Sequence, residues 1–493
     1  METWITLVIT FLLAGLLHIA RSFLRQREIG NRIPGPECGL FTDNRATICS
    51  AGSYAQFLVD LHTKYGSLAR YWDGRELVVS IDDPKLLSEM KVLRLDKRVE
   101  GLNFLKGLMG GITFLKGDEA KERRRLLHGI FSRQPFEKLM PKFRQIVSNT
   151  FLDWEKSSTI SDDGSFEVVL EPYTHQIWMS MNDYNVFGEA SSHQTLGKKM
   201  EITLKFLGHL RYTRIFPFSS TWRQKRHLLS EVHHEVDELV TKELQRRKHG
   251  EEIHDKPGDL MSLLFSAKNS DGSPVFTKQE IQEEILTFVF GTFENDVILN
   301  NTLWHLAINP ECQTTAREEI IKICGLHTPP TEISHISQLS YVRASIRESL
   351  RCIPTAIATW RVTNQDQNVG GHFIPKNTTI VIPMVAIHKN TKYWTDPEVY
   401  DPNRFLEKEK VAQEKEGAPS DGQHLAFVPF GLGVRGCLGQ RYAIHAATLV
   451  ISMILQKYEV LVSEKCRNIE REEHSLAMVA KNGTKLILRK LQK

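Results

Sequence analysis

The 493-residue chain is 41% hydrophobic and 25% charged, with 31 Gly and 19 Pro, the profile of a folded globular protein. These values exclude a disordered chain, a collagen, a coiled coil and a polytopic membrane protein, and a formal net charge of +4 gives no whole-chain field of the kind that marks a nucleic-acid binder. Seven scattered cysteines, without close Cys/His pairs of zinc-site spacing, argue against a disulfide framework and for a reducing compartment.

Thr3 to Ala20 reads TWITLVITFLLAGLLHIA, uncharged apart from the titratable His18. As a helix it would span about 27 Å, roughly the hydrocarbon thickness of a bilayer. Arg21, Arg25 and Arg27 follow it and only Glu2 precedes it, the reverse of a cleavable signal peptide. The positive-inside rule then predicts an uncleaved anchor with the body in the cytosol. Pro34-Gly35-Pro36 breaks anchor from body.

Asp73-Gly74, between two alternating apolar runs, predicts a β-hairpin, and Asp82-Asp83-Pro84 predicts a helix start. Polar breaks at 156–164, 269–274 and 409–423 read as loops. A capping box at Thr277 and Glu280 opens a pattern that is apolar almost all round and runs to Asn309-Pro310. This predicts one continuous helix of about 48 Å through the centre of a large domain. Another helix leads to Pro354, and the alternating stretch 362–383 predicts a small antiparallel sheet. One large, mainly α body with small antiparallel sheets fits better than several domains.

Residues 430–439 read FGLGVRGCLG. Cys437 sits in a glycine-rich loop, two residues after Arg435 and before an alanine-rich helix. Glycines let backbone N–H groups approach a sulfur, and a helix N-terminus favours an anion there. Both favour the thiolate that a metal ligand must be. Arg435 could pair with a carboxylate of a bound cofactor, and Phe430 could shield one side. From these residues alone, a buried inert cysteine remains the alternative.

The segment resembles the haem-binding signature of the cytochrome P450 family at every fixed position: Phe430, Gly433, Arg435, Cys437 and Gly439. The resemblance implies the P450 fold, a haem b (iron protoporphyrin IX) cofactor, Cys437 as axial ligand to its iron, and Phe430, Gly431, Arg435 and Gly439 around it. Glu348 and Arg351 match the family's Glu-x-x-Arg pair, and Arg404 in Asp401-Pro-Asn-Arg404-Phe405 matches the partner arginine, a structural trio. Arg124 matches an arginine near a haem propionate, although Ala120 stands where the family has tryptophan. Arg361 and His388 fall where the family places haem-facing groups. The resemblance runs from about Pro34 to the C-terminus and implies the microsomal organisation: an anchor at 1–20, a basic linker at 21–36 and a haem-thiolate domain at 37–493, held at the endoplasmic reticulum.

The central helix departs from the family's pattern. Where an acid and an alcohol normally pass protons to the dioxygen being activated, this chain has Thr292, Phe293, Glu294 and Asn295 after a retained Gly291. In one reading Glu294, with Thr292 and Asn295, takes over the relay and the enzyme is a monooxygenase. In another, no relay is needed, as in family branches that isomerise or dehydrate lipid peroxides without external electrons. A non-enzymatic haem binder is a third reading. The run Lys121, Arg123, Arg124 and Arg125 lies on a helix that in the family meets a reductase, and no dinucleotide fingerprint follows a strand. Electrons, if used, would therefore come from a separate protein, which the resemblance implies is NADPH–cytochrome P450 reductase, with cytochrome b5 as a second donor. The expected pocket is apolar, with Ile112, Phe114, Phe290, Phe293, Ile357, Leu476 and Met478, which implies a steroid, terpenoid or fatty-acid-like substrate. The stretch 202–218 mixes aromatic and basic residues, suited either to a membrane surface or to an ordinary core helix.

Overall fold

The computed structural model describes residues 2–98, 102, 104–131, 133–188, 194–210, 216–249, 259–293, 295–406, 423–463, 466–474 and 477–491. The elements used below are helices α1 (Glu2–Asn31), α2 (Tyr54–Tyr65), α3 (Gly117–Leu127), α4 (Glu171–Phe187), α5 (Lys278–Thr292), α6 (Asn295–Ile308), α7 (Ser340–Cys352) and α8 (Gln440–Lys457). The strands are β1 (Leu68–Asp73), β2 (Glu76–Ile81), β3 (Ser165–Val169), β4 (Ala358–Val362), β5 (Gln367–Val369), β6 (His372–Ile374), β7 (Thr379–Pro383), β8 (Tyr458–Leu461), β9 (Arg471–His474), β10 (Ala477–Ala480) and β11 (Lys485–Lys490). Helices dominate, as expected.

The predicted hairpin is present, shifted by one residue. Asp73 pairs with Glu76, so Gly74 and Arg75 form the turn and Gly74 takes the positive φ of 63°. Asp83 caps the next helix by accepting the Lys85 N–H at 2.8 Å, with Pro84 in its first turn. The 362–383 stretch is only partly the antiparallel sheet expected. Within it β5 and β6 form a hairpin, whereas β7 joins the four-stranded order β1-β2-β7-β4, antiparallel to β4 but parallel to β2. Nothing local to β7 announces a partner some three hundred residues earlier in the chain.

The core lies where α6, α7 and α8 meet, with Ile298, Leu299, Leu303, Val342, Ile346, Leu449 and Val450 buried in one cluster. Both α6 and α8 are buried on nearly every side, α6 with its polar Asn300, Asn301, Thr302 and His305 included, and this places them in the interior. The capping box forms as predicted, but the single central helix does not: α5 ends at Thr292 and α6 begins at Asn295. At the break the Phe293 N–H turns back three residues to the Phe290 carbonyl (3.1 Å), and the Asn295 side-chain amide donates to the Gly291 carbonyl (3.2 Å). A side chain thus bonds the carbonyl that a continuous ladder would give to a backbone N–H, the known competition between Asn side chains and helix. Glu294 lies outside the described residues, as do Leu476 and most of the expected loop at 409–423.

Residues 2–31 form one helix, and among the described residues no helix is long and apolar enough to cross a membrane. In the 202–218 stretch, 202–209 is the end of a helix and 211–215 lies outside the described residues.

Candidate active site

Cys437 heads α8 from a loop whose shape depends on its glycines. Its N–H donates to the Phe430 carbonyl at 2.8 Å, and Gly431 and Gly433 take φ of 71° and 62°. A Cβ at Gly433 would sit 2.3 Å from the Leu93 carbonyl oxygen, so no side chain fits there. Gly439 places its Cα hydrogens beside the sulfur, since a Cβ there would be 3.8 Å from Cys437 Sγ. The thiol is exposed rather than packed, facing a cavity of about 320 Å³. Cys437 is thus not buried in the core.

Part of the wall comes from α5 and the start of α6: Phe288, Phe290, Gly291, Thr292 and Asn295. Lys97, Arg124 and Arg435 line the cavity, and among the described lining residues there is no aspartate or glutamate. Arg124 donates to the Gly436 carbonyl at 2.6 Å. Arg435 bonds Asp96 at 2.5 Å and the Leu115 carbonyl at 2.8 Å, so its carboxylate partner is supplied by the protein. Burial raises the Asp96 carboxyl, but N–H bonds from Gly117 and Lys97 and the Arg435 charge outweigh it and hold Asp96 below the usual range. Burial, and then the neighbouring Arg435, lower both Arg124 and Arg361, the latter to about 10. Packed arginines that repel one another beside an apolar cavity suit a flat apolar group carrying anionic arms, with a thiol below it to ligate a metal. Haem has that chemistry, and the residues fit it.

Residues 34–488 match the sequence profile described as Cytochrome P450. The chain belongs to the cytochrome P450 family. Its relatives include cytochrome P450 734A1 of Arabidopsis thaliana, 28% identical over 80% of this chain and 75% of that protein. The 11-oxo-beta-amyrin 30-oxidase of Glycyrrhiza uralensis is 26% identical over 87% of this chain and 82% of the relative. Human cytochrome P450 3A7 is 24% identical over 93% and 90%. Membership makes the protein an oxidoreductase of the monooxygenase type with a haem-iron cofactor.

Several of the expected positions come together in the structure. Glu348 and Arg351 have fully buried side chains and form two hydrogen bonds, at 2.7 and 2.9 Å, while Arg404 Nε lies 3.3 Å from the same carboxylate. Thr292, Asn295, Phe290, Ile112, Phe430, Gly431 and Gly439 line the cavity. Others do not. Arg361 donates to the Leu432 carbonyl at 2.8 Å, and His388 Nε2 accepts the Val428 N–H at 3.0 Å, so each braces the cysteine loop from behind instead of facing the cavity. Phe114, Phe293, Ile357 and Met478 pack in the neighbouring apolar cluster and are absent from the lining. Phe293 turns to the His175 ring, with centroids 5.1 Å apart.

The basic run on α3 is also corrected. Arg123 is buried and bonded to Glu280 and Glu284, and Arg124 turns inward, which leaves Lys121 and Arg125 as its exposed members. Sequence reasoning missed Trp178, Asn182 and Asn185, which line the cavity from α4. The signal was available, as their spacing of four and then three residues puts them on one helical face in a largely apolar run.

Beside the helix break, Asp296 faces His175 at 4.0 Å, with Glu171 and Glu201 also acting on it. Burial pushes Asp296 up to about 7. The unfolded chain ionises this group at an ordinary 3.8, so between there and about 7 the folded state holds the extra proton and stability falls as pH rises. Asp296→Asn removes that loss. Its thermal midpoint should gain on the parent protein as pH goes from about 5 to about 8, and an equal difference at both would refute the shift.

Proposed function

We propose that this P450 inserts one oxygen atom of dioxygen into a lipophilic steroid, terpenoid or fatty-acid-like molecule, the other atom leaving as water. The observation that carries the proposal is an exposed Cys437 lining a largely apolar cavity whose cations are Lys97, Arg124 and Arg435. Haem b would be held by Cys437, with Arg124, Lys97 and the Asp96-paired Arg435 as the cations near its carboxylates, and would supply the oxygen activation. The protein's own residues exclude water with Phe288, Phe290 and Leu438, and offer Thr292 and Asn295 as hydrogen-bonding groups at the helix break. Thr292 Oγ1 donates to the Phe288 carbonyl at 3.2 Å, which leaves the hydroxyl with acceptor capacity only. An oxidase named for an oxo-amyrin among the relatives supports a terpenoid-sized ligand.

Electrons come from a separate reductase, NADPH–cytochrome P450 reductase, with cytochrome b5 as a second donor; Lys121 and Arg125 are exposed on the α3 surface that would meet an acidic partner. The protein is held at the endoplasmic reticulum by residues 1–20, followed by the linker at 21–36 and the catalytic domain at 37–493. Supporting the anchor, Trp4, Phe11, Leu13 and Leu17 are more than half exposed on α1, a cost in water that a bilayer removes.

A second reading, isomerisation or dehydration of a lipid peroxide, is favoured by one observation: the Thr292 and Asn295 side chains both donate to carbonyls of α5, and no described acid lines the cavity. Glu294→Gln separates the two. Under the first reading Glu294 delivers protons, so product should fall by about 100-fold while NADPH consumption continues and peroxide accumulates. Unchanged product formation that needs no NADPH would establish the second reading.

A further inference from the structure

The cavity wall formed by Ile112 and Thr113 belongs to a single helical turn, Gly111–Phe114, too short to hold its own position. Long-range bonds to side chains hold it instead. The Ile112 N–H donates to Glu284 Oε1 at 3.0 Å and the Gly111 N–H to Glu283 Oε2 at 3.2 Å, while Thr287 Oγ1 donates to the Gly110 carbonyl at 3.2 Å. All three partners are on α5. From the other side Arg435 donates to the Ile112 and Leu115 carbonyls at 3.3 and 2.8 Å. The segment therefore bridges the central helix and the cysteine loop.

Glu284 is the centre of this arrangement. Its side chain is fully buried, and Arg123 of α3 reaches it at 2.9 Å while placing its other nitrogen 2.5 Å from Glu280. The Phe276 ring lies 4.6 Å from the Arg123 guanidinium. Close approach requires glycine, since a Cβ at Gly110 or Gly111 would stand 2.5 or 2.7 Å from the Glu283 and Glu284 carboxylates. Gly111 moreover has a φ of 52°, which L side chains rarely adopt. A buried carboxylate is costly unless paired, and its pairing here is spent on the backbone of a cavity wall.

We infer that Arg123 and Glu284 are positioning residues: they fix how far the Ile112–Thr113 wall stands over the cavity and so set which ligands it admits. The inference rests on the cavity being the haem and ligand site. It predicts selectivity, in that a ligand reaching the wall should feel the pair and a small ligand at the haem iron should not.

The test titrates holoprotein with imidazole and with clotrimazole, following the haem absorption shift, for the parent protein, Glu284→Gln, Arg123→Met and Arg123→Lys. Glu284→Gln keeps an acceptor for the Ile112 N–H and removes the charge, so it stands as the test if Arg123→Met fails to fold. Imidazole affinity is expected to stay within about twofold, while clotrimazole affinity shifts by about tenfold in Glu284→Gln and Arg123→Met and recovers part of that in Arg123→Lys. Variants that bind both azoles like the parent overturn the inference. So does an equal loss for both azoles, which would mark the pair as holding the fold alone. A parent protein that responds to neither azole contradicts the reading of the cavity along with the inference.

Discussion

Cys437→Ser abolishes turnover and the thiolate-type spectrum of the reduced carbonyl complex, with the haem retained in part or lost. The prediction follows from the loop. Seven residues of glycine-rich backbone place this one sulfur at the cavity, with its N–H given to Phe430 and its neighbours Gly431 and Gly433 in conformations that other residues avoid. A serine fits the same space, so the fold should survive, but a neutral hydroxyl cannot supply the electron density that a thiolate gives iron. None of the other six cysteines lines the cavity, and burial raises three of their thiols, Cys312, Cys324 (to about 11) and Cys352 (to about 12). Carbonyl difference spectra check the outcome, and an unchanged spectrum would remove Cys437 as ligand.

Glu348→Ala is expected to cost about 3–5 kcal/mol, because it leaves Arg351 as an uncompensated charge in the core. Both side chains are fully buried. Arg351 would keep its bonds to the His388 and Pro397 carbonyls, at 3.1 and 2.7 Å, but these carry no negative charge. Glu348 also accepts the Asp401 N–H at 3.0 Å and draws in Arg404, so its loss loosens the segment around residues 395–405 as well. A loss of that size is a large share of the roughly 5–15 kcal/mol that keeps a domain folded. The exposed pair Lys389–Glu398 provides the contrast, as Glu398→Ala should cost less than about 1 kcal/mol. Denaturant unfolding measures both, and similar values for the two substitutions would contradict the burial argument.

Legibility in the sequence followed the range of the interactions. The cysteine loop could be read because its requirements are local: glycine for positive φ, a following helix and an arginine nearby. Glu348 and Arg351 could be read because three residues of helix place them side by side, although their burial could not. The hairpin was placed to within one residue. Pairings across the chain were invisible. No local pattern reveals that β7 lies parallel to β2, that Asp96 is the partner of Arg435, or that Arg123 points inward to Glu284 while Lys121 beside it in the run points to solvent. The break in the central helix was missed for a different reason. Its hydrophobic pattern continues unbroken through Phe290, Phe293 and Val297, and the interruption comes from Asn295 bonding the Gly291 carbonyl. Periodicity reports which face is apolar and says nothing about such a side-chain bond.

That break is also where the family's proton-handling residues would stand, which makes the reaction type the claim most in need of a direct test. Purified holoprotein would be incubated with a broad lipid extract under isotopically heavy dioxygen, with and without NADPH and reductase, and the products read by mass spectrometry. A monooxygenase gives products carrying one heavy oxygen atom, formed only when both NADPH and reductase are present. New products without the label, formed equally in both arms, would contradict the proposed monooxygenase.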